Sequence, residues 1–155
     1  MTRPIALASD HAGFALKEVL KAELAALGLA VLDLGTDGPQ SVDYPDFGFA
    51  AGEAIAEGRA DFGVIVCGTG IGISIAANRL PQVRAALCLD ATTARLAREH
   101  NDANILALGA RIVGEEVAKE CLRVFLATDF HAGRHRSRIE KLGRGSQPLA
   151  AAALA

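Results

Sequence analysis

Five short apolar runs recur along this chain, and a segment of a different period follows each of them. The runs are "PIALAS" (4–9), "LAVLDLG" (29–35), "FGVIVC" (62–67), "RAALCL" (84–89) and "NILALG" (104–109). None alternates strictly between apolar and polar residues, as a strand with one wet face does. Strands covered on both faces and joined by helices are the units of a parallel sheet. The pattern predicts an α/β fold: a doubly wound five-stranded parallel sheet, a Rossmann-like three-layer sandwich.

The segments between the runs carry helical spacing. Leu16, Leu20, Leu24 and Leu27 share one face, Lys17, Lys21 and Glu23 lie elsewhere, and Gly28 supplies a stop. Residues 46–59 form a second helix ending at Gly58, after a loop "TDGPQSVDYP" marked by Gly, Pro, Asp and Ser. "ISIAANRL" is a short helix stopped by Pro81, and "ATTARLAREH" and "GEEVAKECLRVFLAT" are two more. A basic segment, "HAGRHRSRIEKLG", and an alanine-rich end, "SQPLAAAALA", close the chain. At 155 residues and 22% charged, the chain reads as one globular domain. A net charge of −2 gives no global pull toward nucleic acid or a membrane surface, and no apolar run approaches the length of a spanning helix. Cys67, Cys88 and Cys121 are odd in number and widely spaced, which fits a reducing cytoplasm and neither a disulfide framework nor a zinc knuckle.

In doubly wound folds ligands sit beyond the carboxyl ends of the strands. The residues there are Asp10-His11, Gly35-Thr36-Asp37, Cys67-Gly68-Thr69-Gly70, Asp90 and Gly109-Ala110-Arg111. Gly68, Gly70 and Gly72 let the backbone approach a ligand, and successive N–H groups at a helix start suit an anion. The same loop reads equally as a tight turn, or as a dinucleotide loop with Asp90 as the ribose-binding acid, although Ile73 stands where that fingerprint needs glycine. Cys88 and Cys121 read as small buried hydrophobes. Cys67 stands apart, because it ends a strand beside helix N–H groups, where a thiolate is favoured. It could be structural, a base, or a nucleophile served by His100 on an acyl or phosphoryl substrate. Asp10 could simply cap a helix, and His100 at a helix end is favoured there by the dipole alone. Arg134 and Arg138, four apart, share a helix face near His131 and His135; they fit a solvated face or a phosphate monoester about equally. The patch is too small, and too poor in aromatics, for nucleic acid.

Four ordered motifs, "SDHAGFALK", "DYPDF", "CGTGIGISIAANR" and "REHNDANILALGAR", together resemble the type B ribose-5-phosphate isomerases, in the group that includes allose- and galactose-6-phosphate isomerases. The resemblance runs to about Leu142, so residues 1–142 are read as one isomerase domain and 143–155 as a C-terminal extension. It implies a metal-independent, cofactor-free aldose–ketose isomerase of pentose phosphate metabolism, acting on ribose 5-phosphate and ribulose 5-phosphate or on a six-carbon sugar phosphate. It implies Cys67 as the base that moves a proton between C1 and C2, and His100 as the group that assists ring opening, with Asp10 and Thr69 nearby. It implies Gly68, Thr69, Gly70, Ile71, Gly72 and Asn101 around the sugar and enediolate, and Tyr44 lining the pocket. His11, Arg111, Arg134 and Arg138 would hold the phosphate. One branch of the group carries a glutamate base after the glycine loop; Ile73 stands there, which favours the cysteine type. The resemblance also implies a homodimer, or a dimer of dimers, whose pockets take residues from both subunits.

Overall fold

A computed structural model describes residues 3–145. Five parallel strands form one sheet in the order β2-β1-β3-β5-β4: β1 Ile5–Ser9, β2 Val31–Asp33, β3 Gly63–Cys67, β4 Ala85–Leu87 and β5 Ile105–Gly109. The helices are α1 Phe14–Ala26, α2 Tyr44–Ala56, α3 Ile71–Ala77, α4 Ala91–Asn101 and α5 Glu115–Ala127, followed by a 3-10 turn Gly133–His135 and α6 Arg136–Arg144.

The three central strands are wholly buried, and their side chains alternate in size rather than in polarity. Leu7, Val64, Val66, Leu106 and Leu108 face α1, α4 and α5, packing on Leu16, Leu20, Leu24, Leu122 and Phe125. Ala8, Ile65, Cys67 and Ala107 face α2 and α3. The smaller face lets α2 and α3 lie close: a Cβ on Gly48 would sit 2.8 Å from the Ala76 methyl and from the Ile73 carbonyl.

The edge strands are shorter than the sequence implies: three residues each for β2 and β4, against seven-residue and six-residue runs. Each has one neighbour, so pairing ends sooner. Helix α2 starts at Tyr44, two residues earlier than expected, because Pro45 falls in the first turn, where its missing N–H is no loss. It ends at Ala56, before the expected limit. Leu27 follows the end of α1 and is exposed, so the apolar face of that helix is Leu16, Leu20 and Leu24. The alanine-rich end, from residue 146, lies outside the described residues. Among the described residues no helix is long and apolar enough to cross a membrane.

Candidate active site

The chain leaves β1 toward β2 on one side and returns to β3 on the other. The crevice between the carboxyl ends of β1 and β3 is therefore the switch point of the sheet. Asp10, His11, Ala12, Tyr44, Cys67, Gly68, Thr69, Gly72 and Arg111 line a cavity of about 220 Å³ there. Gly70 and Ile71 lie outside its lining, and Ile71 is exposed.

Cys67 ends β3 and is buried, and the Gly70 N–H donates to its Sγ at 3.1 Å. Gly70 has φ 77°, and a Cβ on it would meet the Leu108 backbone at 2.8 Å, so glycine alone fits this turn. Across the crevice the Asp10 carboxylate accepts the Gly13 N–H at 3.0 Å, which caps the turn before α1. A Cβ on Gly13 would lie 2.5 Å from the Val66 carbonyl oxygen; this glycine lets α1 begin hard against β3. His11 Nδ1 lies 3.2 Å from both the N–H and the carbonyl oxygen of Val42, accepting from the one or donating to the other according to its tautomer. Tyr44, at the start of α2, lays its ring on Gly72, where a Cβ would be 2.6 Å from the ring. The Arg111 guanidinium lies against Gly68, beside Cys67.

His100, Asn101, Arg134 and Arg138 are not in this cavity. Helix α4 runs back down the sheet, and Asn101 closes it four residues before β5 starts at Ile105. In the ladder Ile105 pairs with Gly63 and Gly109 with Cys67, so His100 and Asn101 lie at the amino ends of the strands. Four residues of strand separate the two levels, roughly 13 Å. His100 stacks on His135 with ring centroids 4.5 Å apart. Burial first, then the neighbouring His100, Arg134, Arg138 and His131, push the His135 pKa down. Arg134 belongs to the 3-10 turn and Arg138 to α6, so the segment is not one continuous helix. Asn101 also lines a cavity of about 400 Å³ with Arg84, Leu80 and Leu142.

Asp90 caps α4, accepting the Thr93 N–H at 2.7 Å in a capping box, so its carboxylate already has a structural role. One rival reading fails on this geometry. His100 of the same chain cannot serve Cys67 as the base of a nucleophile. Cys88, just past β4, and Cys121 in α5 are buried, and burial pushes their thiols up to about 12 and about 11. Among the described residues no cluster of three or more His, Cys, Asp or Glu could hold a metal ion.

Two buried cations were not foreseen. Lys17 is fully buried and reaches Asp33 at 2.9 and 3.0 Å and Glu18 at 2.9 Å. Asp33, an acid inside an otherwise apolar run, was its signal. Arg98 is buried between Phe62 and Phe125. Its position one turn after the buried Ala94 turns it inward.

The sequence model of the Ribose/Galactose Isomerase family matches residues 5–142. Ribose-5-phosphate isomerase B of Escherichia coli is 42% identical over 140 residues, covering 90% of this chain and 94% of that protein. A solved ribose 5-phosphate isomerase from Thermotoga maritima superposes with a TM-score of 0.90 at 50% identity, covering 93% of this chain and 99% of that one. Ribose-5-phosphate isomerase B from Mycoplasma genitalium, solved with bound ribulose 5-phosphate, gives a TM-score of 0.88 at 38% identity over 93% of this chain and 96% of that one.

Proposed function

The chain belongs to the ribose/galactose isomerase family, and from that premise we propose that it interconverts ribose 5-phosphate and ribulose 5-phosphate through an enediolate, with Cys67 as the base. Aldose–ketose exchange takes the proton from C2 of the open-chain aldehyde and returns it to C1, while charge develops on the adjacent oxygens. The reaction needs a base facing C1 and C2, and fixed donors at the oxygens. The observation that carries the reading is Cys67 at the β1/β3 switch point, with a glycine loop folded over it and the Asp10-His11 turn opposite. Gly68, Thr69, Gly70, Ile71 and Gly72 keep the role of enclosing the enediolate oxygens with backbone groups, and Asp10 and Thr69 hold the hydroxyls. Tyr44 walls the sugar. No step calls for a metal or a cofactor.

The arginines that fork the phosphate, and the ring-opening group, come in this reading from a second copy. The cavity at Cys67 has His11 and Arg111 as its nitrogen-bearing side chains, whereas His100, Asn101, Arg134 and Arg138 gather at the opposite end of the sheet. Each end alone lacks half of what the reaction needs. A two-fold pair sets the one against the other twice. His100 of one chain then moves a proton between O1 and the ring oxygen of the sugar on the other, and the arginines fork its phosphate. We place the protein in the cytoplasm, where three unpaired thiols stay reduced.

Incubation of the purified protein with ribose 5-phosphate, followed by ketose detection, tests this directly. Ketose formation that disappears in Cys67→Ala supports it. A folded wild-type protein that forms no ketose overturns it. Allose 6-phosphate in the same assay ranks the six-carbon preference.

A further inference from the structure

Asp102, the residue after His100-Asn101, is fastened more heavily than a helix end requires. It adopts φ 43° and ψ 44°, one of two positive-φ non-glycine residues among those described. A glycine there would close the helix in the same conformation without strain. Instead two arginines hold an aspartate in place. Arg98 Nη1 donates to Asp102 Oδ1 at 2.8 Å and to the Ala103 carbonyl at 2.6 Å. Arg84 donates through Nε to the Asp102 carbonyl at 2.8 Å and through Nη2 to Oδ2 at 3.1 Å. Arg98 is itself clamped, its guanidinium 4.8 Å from the Phe62 ring centre and 5.7 Å from that of Phe125.

The bracket has a second arm. Arg98 Nε donates to the Thr128 carbonyl at 3.2 Å, where α5 has ended and the chain turns toward Arg134 and Arg138. The His131 N–H donates to the Glu99 carbonyl at 3.0 Å, and His135 stacks on His100. The last turn of α4 and the basic segment thus hang from one anchor. Strain kept in place by surrounding bonds is a mark of a constrained functional position.

We infer that Arg84, Arg98 and Asp102 are positioning residues. They fix the direction in which His100 and Asn101 leave α4, and their placement against Arg134 and Arg138, so that the half-site reaches a second copy as one rigid piece. The inference rests on the reading that His100 assists ring opening. None of the three touches the sugar; they act through His100 and Asn101.

The test compares Asp102→Gly, Asp102→Asn, Arg84→Lys and His100→Ala, each shown folded by its melting temperature. Two substrates are used: ribose 5-phosphate, and a four-carbon aldose 4-phosphate, which lacks the hydroxyl needed to close a furanose. Asp102→Gly keeps the left-handed backbone and loses the carboxylate. It is expected to lower kcat/KM on ribose 5-phosphate roughly tenfold, by loosening the geometry of His100. The four-carbon substrate, which needs no ring opening, should change about threefold at most, and the melting temperature by a few degrees. Asp102→Asn, which accepts the same backbone and keeps an acceptor, should recover most of the loss. Arg84→Lys, which loses the fork while leaving the clamped Arg98 intact, should shift the substrate ratio in the same direction; it carries the test if the glycine variant does not fold. Activity within twofold of wild type on ribose 5-phosphate in folded Asp102→Gly and Arg84→Lys, with His100→Ala impaired, overturns this inference alone. Equal losses on both substrates, tracking a fall in melting temperature, also overturn it, because that is what a merely structural bracket gives. An unimpaired His100→Ala protein overturns the underlying reading as well.

Discussion

Cys67 differs from the other two cysteines in what surrounds its sulfur. It receives an N–H at the mouth of a cavity, whereas Cys88 and Cys121 are held protonated by burial among apolar groups. Cys67→Ala should therefore abolish ketose formation while leaving the circular dichroism and melting temperature near wild type. Cys88→Ala should keep turnover and cost on the order of 1 kcal/mol in chemical unfolding. A second expectation concerns acid. Burial works against the charge on Asp33, but hydrogen bonds from Lys21, Lys17 and the Gly35 N–H outweigh it and hold its pKa at about 2. An aspartate whose folded pKa is depressed adds stability above its unfolded value. That stability is lost as pH falls from about 4 through about 2, and is worth on the order of 2 kcal/mol. Asp33→Asn should flatten that limb of a pH series of unfolding curves. A parallel limb in the variant would show that Asp33 is not the group responsible. These residues also mark what a sequence discloses. Cys67 stood out because a strand end and a glycine loop flank it along the chain. Lys17 and Arg98 did not, because their partners, Asp33 and the ring pair Phe62 and Phe125, are distant in sequence and meet only in the fold.

The central strands were legible because burial on both faces leaves a run almost wholly apolar, Ser9 at the end of β1 being the polar exception, and a run is visible without knowing its neighbours. The limits of β2 and β4 were not, since they depend on which strand happens to lie at an edge. The closeness of α2 to α3 also depends on a neighbour. Gly48→Ala should push the Ala76 methyl and the Ile73 carbonyl away, at a cost of about 1–3 kcal/mol. Because Ile73 follows the glycine loop directly, that variant should also raise KM for ribose 5-phosphate; unchanged stability would mean that the pair relaxes freely. Helix α6 and the turn before it behave differently, with exposed and basic side chains. Arg134→Ala and Arg138→Ala should leave the melting temperature unchanged and weaken inorganic phosphate, measured as a competitive inhibitor, together with substrate. Lysine at either position should restore only part of the affinity, since a point charge does not replace a planar fork. Unaltered phosphate inhibition in the double alanine variant would return this segment to a solvated face.

The two groups of residues that the motifs bring together lie at opposite ends of one sheet, because α4 reverses the chain direction between Asp90 and Asn101. Strand ends place Cys67 and Asp10 in any parallel sheet, so that half of the site follows from the pattern of runs. Among the described residues no element of the same chain completes the other half of the proposed site, and only the likeness of its motifs to a family pointed to a second copy. The consequence can be measured. Cys67→Ala removes the proposed base and leaves the cationic end intact; Arg138→Ala does the reverse. Each protein alone should be dead or nearly so. If the two variants are unfolded together and refolded, random pairing gives about half mixed dimers, and each mixed dimer has one pocket with both lesions and one with none. Recovered activity should then be about a quarter of wild type. The figure discriminates sharply, since a site built within one chain gives no intact pocket in any pairing, whatever the ratio of variants. Differently tagged chains co-purified after refolding establish that exchange took place. Exchange without a gain over the separate variants would assign Cys67 and Arg138 to the same chain's pocket, which requires the basic segment to leave the amino ends of the strands.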